Sequence, residues 1–146
     1  MAKEFSIGHL AKMGGCQVQT IRYYEQVGVL TTPPRSSGNQ RLYSANHLER
    51  LLFIRHCREL GFSLDQIRRL LTLAQAGDRP CGEVDAVARE HLRTVELKIE
   101  RLAGLRAELQ RIIAGCGAGR VERCRILQTL GDHSQCLTDD HGSEGL

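Results

Sequence analysis

The chain has 146 residues, of which 41% are hydrophobic and 25% charged, with a net charge of +3; this is the composition of an ordinary soluble domain rather than of a fibrous or unfolded chain. No run of about 18 apolar residues occurs, and the opening MAKEFSIGHL lacks an apolar leader, so membrane spanning and export are not expected and a cytoplasmic location is. Six cysteines in such a setting point to reduced thiols, metal ligands or redox sensors rather than to a disulfide framework. The charge is uneven: residues 1–75 carry ten Lys/Arg against five Asp/Glu, and residues 76–146 carry ten against twelve. The basic half is the candidate nucleic-acid half, since Lys and Arg supply the sequence-independent part of DNA affinity.

Along the chain, Ser6 can cap a short helix with Ile7, Leu10 and Ala11 on one face, which Gly14-Gly15 stops. A second helix, QTIRYYEQ, follows with Val18 and Ile21 inward and ends before Gly28, giving helix-turn-helix spacing. In LTTPPRSSGNQRLY, Pro33-Pro34 excludes helix and Ser37-Gly38-Asn39 supplies a turn, which predicts a small hairpin, or wing. Ser44 can cap a third helix with Leu48, Leu51, Leu52 and Ile54 inward and Gly61 beyond its end. Ser63-Leu64-Asp65-Gln66 has the form of a capping box for a fourth helix bearing Ile67, Leu70 and Leu71. A head spanning 1–75 results.

From Glu83 to Ala114 the sequence reads as one long helix. Its Leu92, Val95, Ile99, Leu102, Leu109 and Ile113 follow a 3,4 alternation, broken where Arg106 takes an apolar place, and this narrow stripe needs a partner. A two-stranded coiled coil between protomers is the economical solution; packing back on the chain's own head is the other. Residues 76–115 are thus linker and dimerisation helix. Residues 116–130 form a loop and short helix, and 131–146 a polar, glycine-rich tail expected to be partly disordered.

The second helix presents Gln19, Thr20, Arg22, Tyr23 and Tyr24, a set of donors, a cation and aromatic hydroxyls suited to a major groove, although Tyr24 also suits packing. With TIRYYEQVGVL, RSSGNQRLY and HLERLLFIRHCRELGFSLDQIRRLL in order and correctly spaced, the sequence from residue 5 to about 130 resembles the MerR family of winged helix-turn-helix regulators. The resemblance implies a mostly α, homodimeric protein on an antiparallel coiled coil, acting with RNA polymerase as activator or repressor by distorting promoter DNA. It also implies that Thr20, Arg22 and Tyr23 contact the operator, while Arg35, Arg41 and Tyr43 engage flanking phosphates.

Cys116 and Cys124 lie past the long helix among Gly115, Gly117 and Gly119; the spacing fits two converging thiolates, or two unrelated buried cysteines. Cys81 precedes the helix. Its thirty-five-residue separation from Cys116 corresponds to roughly 50 Å of helix, so one chain cannot join the two thiols, whereas an antiparallel pair would set the partner's Cys81 beside Cys116 and Cys124. The family's sensors of divalent soft ions carry cysteines at these three positions, and RPCGEV is most similar to the cadmium and lead branch, with zinc and mercury sensors close behind. Three thiolates favour soft or borderline metals. Copper, silver and gold sensors keep the loop pair but usually have serine at the first position, and a thiol redox sensor is a further alternative. His133, Cys136 and His141 could add ligands; Cys16 and Cys57 fit buried small hydrophobes. No catalytic arrangement stands out, so an enzyme is not expected.

Overall fold

The structure, a computed structural model, describes residues 3–116, 119–132 and 134. Among these it is mostly α: α1 (Ile7–Gly14), α2 (Val18–Gln26), α3 (Ala45–Glu59), α4 (Leu64–Gln75), α5 (Gly82–Ala114) and α6 (Arg125–Gly131), with a single 3-10 turn at Val121–Arg123. The chain divides into two compact units, Met1–Arg89 and Glu90–Leu146.

Capping residues set the helix starts in the first unit. Ser6 Oγ accepts the His9 N–H at 3.2 Å, and Gly15, at φ 63°, closes α1 in the left-handed conformation open to glycine. Ser63 and Gln66 form the reciprocal capping box: Gln66 N–H donates to Ser63 Oγ at 3.1 Å and Ser63 N–H to Gln66 Oε1 at 3.0 Å. At α3 a histidine takes the same part, as Ser44 N–H donates to His47 Nδ1 at 3.1 Å. The core beneath these helices gathers Leu10, Ile21, Val29, Leu30, Tyr43, Leu51, Ile54, Ile67 and Leu71.

Two expectations change here. Leu52, expected inward, is 43% exposed; at 100° per residue it falls off the face defined by Leu51, Ile54 and Cys57. The wing contains isolated antiparallel bridges, Phe5 to Tyr43 and Arg35 to Arg41, rather than a strand ladder. Pro33 and Pro34 have no N–H to extend one. The turn is nevertheless well made: Ser36 N–H donates to Gln40 O at 2.7 Å, and Asn39 supplies the positive φ of 64°.

Helix α5 runs without a break from Gly82 to Ala114, 33 residues. Leu92, Ile99, Leu102, Leu109 and Ile113 are all exposed on the single chain, while Glu108 and Ile112 are buried on another face. Glu108 accepts from Arg111 Nη2 at 2.6 Å.

The packing predicts a ranking of costs in chemical denaturation. Ile54→Ala, which empties a fully buried site, should lower stability by about 2–5 kcal/mol, and Ser63→Ala, which removes only the cap, by about 1 kcal/mol.

Candidate DNA interface and metal centre

Helix α2 is nine residues long, and its 3.6-residue period splits it cleanly. Ile21 is fully buried and Tyr24 packs against the core, while Gln19, Arg22, Tyr23 and Gln26 are exposed at spacings that share one helical face. Thr20 is half-buried beside them. On the wing, Arg35 is exposed and its Nη1 donates to Asn39 O at 2.9 Å, stiffening the turn.

Tyr43 departs from its expected role. It is fully buried, stands edge-on to the His47 ring, and donates its hydroxyl to Glu25 Oε1. Phosphate contact is therefore not a role this side chain is placed for; it is a core residue. Burial, and then the hydrogen bond to Glu25, push its phenol well above the usual tyrosine range. Glu25 is the residue that sequence reasoning missed. Only 6% of its side chain is exposed, and its second oxygen faces Arg41 Nε at 3.6 Å. Arg41 is thus held by a carboxylate from α2 rather than standing free on the wing. Nothing in the spacing of Glu25, Arg41 and Tyr43 signals the pairing, because it is purely tertiary.

The cysteines fall into two chemical groups, and no disulfide joins those among the described residues. Cys57 is buried and Cys16 half-buried, both raised above the ordinary thiol range by burial, with Arg55 partly opposing this at Cys16. Cys124 is shifted the other way. Its thiolate is favoured first by the Leu127 main-chain N–H, against the opposing effect of desolvation, and then by the Ile126 N–H and the Cys116 thiol, although the sulfur makes no capping hydrogen bond to α6. Cys124 stands at the start of α6, where first-turn N–H groups lack helical partners. The structure thus brings Cys116 and Cys124 together. Cys81 is exposed immediately before α5, where its carbonyl accepts from Asp85 N–H at 2.9 Å. Among the described residues no group of three or more His, Cys, Asp or Glu side chains is gathered. His133, Cys136 and His141 lie outside those residues, as does most of the 131–146 tail.

Comparison with known proteins decides what this helical scaffold is. Residues 5–73 match the profile of the MerR HTH family regulatory protein, and residues 48–112 that of "MerR, DNA binding". The HTH-type transcriptional regulator ZntR of Escherichia coli (strain K12) is 40% identical over 129 residues, 86% of this chain and 92% of its own. The chain belongs to the MerR family. A ZntR homolog of Haemophilus influenzae is 48% identical over 103 residues, covering 70% of this chain and 76% of that one. The structure is also similar to that of the transcription regulator PbrR691 from Ralstonia metallidurans CH34 in complex with lead(II), at 44% identity and TM-score 0.76, over 86% of this chain and 98% of that one. As a MerR-family transcription regulator, the protein is not an enzyme. No helix among the described residues is long and apolar enough to cross a membrane.

Two measurements check this geometry. Tyr43→Phe should cost about 1–2 kcal/mol at neutral pH and leave the salt dependence of DNA binding unchanged. A phenol raised in the fold gives stability that is complete below its unfolded value of about 10 and is lost as pH rises further, so the wild type should weaken above about pH 10 more than the variant does. In the reduced, metal-free protein at pH 7, iodoacetamide should modify Cys124 at least about tenfold faster than Cys16 or Cys57, because the thiolate is the nucleophile. Mass spectrometry of the alkylated peptides reads that order.

Proposed function

We propose that the protein is a homodimeric, cytoplasmic, metal-responsive regulator that binds promoter DNA and answers a divalent soft ion: cadmium, lead, zinc or mercury. The observation that carries this reading is the convergence of the Cys116 and Cys124 thiols at the start of α6, where the Leu127 and Ile126 main-chain N–H groups and the Cys116 thiol favour the Cys124 thiolate. Two such sulfurs fit a thiophilic cation and suit magnesium or calcium poorly. In the proposed division of labour residues 1–75 read DNA, 76–115 dimerise and 116–130 sense.

Cys116 and Cys124, with the partner's Cys81, would hold the ion, which when bound supplies a covalent-like tie among three thiolates. Exposure of the Leu92, Ile99, Leu102, Leu109 and Ile113 stripe on the single chain supports an antiparallel helix pair, and such a pair would bring Cys81 of one protomer to the loop of the other. Arg120, Arg123 and Arg125 around the loop would offset the surplus thiolate charge. Cys124 begins α6, and α6 carries Ile126, Leu127 and Leu130, so fixing Cys124 orders the apolar segment next to the dimerisation helix. Coupling to DNA requires that this ordered arrangement favour one angle between the two heads over another, since equal affinity for both states shifts nothing. The heads would then hold promoter DNA in a distorted form that RNA polymerase can use.

Metal-competition binding to the wild type and to Cys81→Ser tests the ligand set. The expected result is loss of at least about a hundredfold in affinity for cadmium, lead or zinc with copper(I) binding retained. Unchanged divalent affinity would leave a two-thiolate sensor of copper, silver or gold as the better reading.

A further inference from the structure

The reading helix α2 has little to hold its own ends. Gln17 at its N-terminus makes no side-chain cap, and its last turn has no basic residue. Three arginines from the two helices behind it compensate. Arg55 of α3 donates from Nη1 to Gly14 O at 3.0 Å, the last residue of α1, where the turn into α2 begins. Arg68 of α4 donates from Nη2 to Val27 O at 2.5 Å, and Arg50 of α3 from Nε to Val29 O at 2.6 Å, both just beyond its end. The donors lie 41, 41 and 21 residues from their acceptors in sequence, so these contacts report tertiary placement and not local turn formation. The two cations beyond the C-terminal end also oppose the negative pole of the helix dipole. The turn before α2 is shaped around Arg55: at Gly15 a Cβ would stand 2.1 Å from its Nη1.

We propose that Arg50, Arg55 and Arg68 are positioning residues for DNA reading, Arg68 and Arg50 tying the end of α2 through the Val27 and Val29 carbonyls and Arg55 fixing the turn that leads into it through Gly14, and that they do not serve as phosphate contacts. This rests on α2 being the helix that enters the groove. Base-edge hydrogen bonds tolerate only a few tenths of an ångström between donor and acceptor, whereas attraction to phosphate charge tolerates much more. A nine-residue helix tied at two carbonyls just past its end and entered through a fixed turn resists sliding along and rotating about its axis, which keeps Gln19, Arg22 and Tyr23 in register with base edges. Loosening the clamp therefore erodes sequence preference and leaves general DNA affinity intact.

The test uses the full-length protein with two probes: a duplex selected by the wild type from a randomised pool, and a scrambled duplex of equal composition. For Arg50→Gln, Arg55→Gln and Arg68→Gln, affinity for the selected duplex should fall about tenfold, with affinity for the scrambled duplex and the slope of log K against log salt unchanged. Equal weakening on both duplexes with a slope smaller by about 0.9 per residue identifies a phosphate contact and overturns the proposal, as does no change in either quantity. Thermal melting accompanies each variant. Where a glutamine variant melts early, the lysine variant is scored instead; it keeps the charge but cannot reproduce the guanidinium fork, so the same loss of selectivity is expected, and retained selectivity overturns the clamp. Arg22→Ala is run alongside. If it leaves sequence preference intact, α2 is not the reading helix and the underlying assignment fails; if it abolishes preference while the clamp variants do not, only the clamp fails.

Discussion

The head depends on one buried carboxylate. Glu25 projects from the inner side of α2, receives the Tyr43 hydroxyl on one oxygen and faces Arg41 with the other. A carboxylate with 6% of its side chain exposed has lost most of its hydration, and removing either partner leaves that loss uncompensated. The three groups therefore stand or fall together, and with them the placement of the 41–43 segment against α2. The same segment is tied to the N-terminus by reciprocal Phe5 and Tyr43 main-chain hydrogen bonds at 2.7 and 2.9 Å. A chain with almost no sheet thus keeps its wing in place by side-chain chemistry at one point and a two-bond bridge at another.

Much of this architecture is legible in the sequence because it is encoded locally. Ser6, the Ser63 capping box and the glycines at 15, 28 and 61 mark helix ends by mechanisms that involve a few neighbouring residues, and the structure places positive φ at all three glycines. The inward face of α2 follows from period alone. Leu52 shows where period fails: four leucines and isoleucines in seven residues over-fill one face of a helix, and which of them turns outward depends on what packs opposite. Tyr43 and Glu25 show a second failure. A tyrosine flanked by Arg41 and a polar turn reads as a surface residue, and only the fold reveals a carboxylate 18 residues earlier waiting for its hydroxyl.

The cysteines divide along the same line. Burial raises the thiols of Cys57, in α3, and of Cys16, in the turn between α1 and α2 rather than in a helix, and makes them poor nucleophiles, as reading both as small apolar residues anticipates. The downward shift of the Cys124 thiol is not visible in a C-x7-C spacing, because it depends on that residue's standing at the start of a helix and beside Cys116.

On the proposed reading, a ligand at a helix start ties sensing to the order of that helix. The Leu127 and Ile126 N–H groups at the head of α6 favour the Cys124 thiolate, so the helix and the deprotonated sulfur support each other. Loop conformation and thiolate formation are then linked equilibria, and any cation that prefers thiolate to thiol favours the folded α6 by the same amount that folded α6 favours the cation. On the proposed reading, α6 is short enough for that linkage to matter: seven residues are too few to form a stable helix alone, so its order has to come from its surroundings. A longer, self-sufficient helix at this position would be ordered with or without the ion and could report nothing.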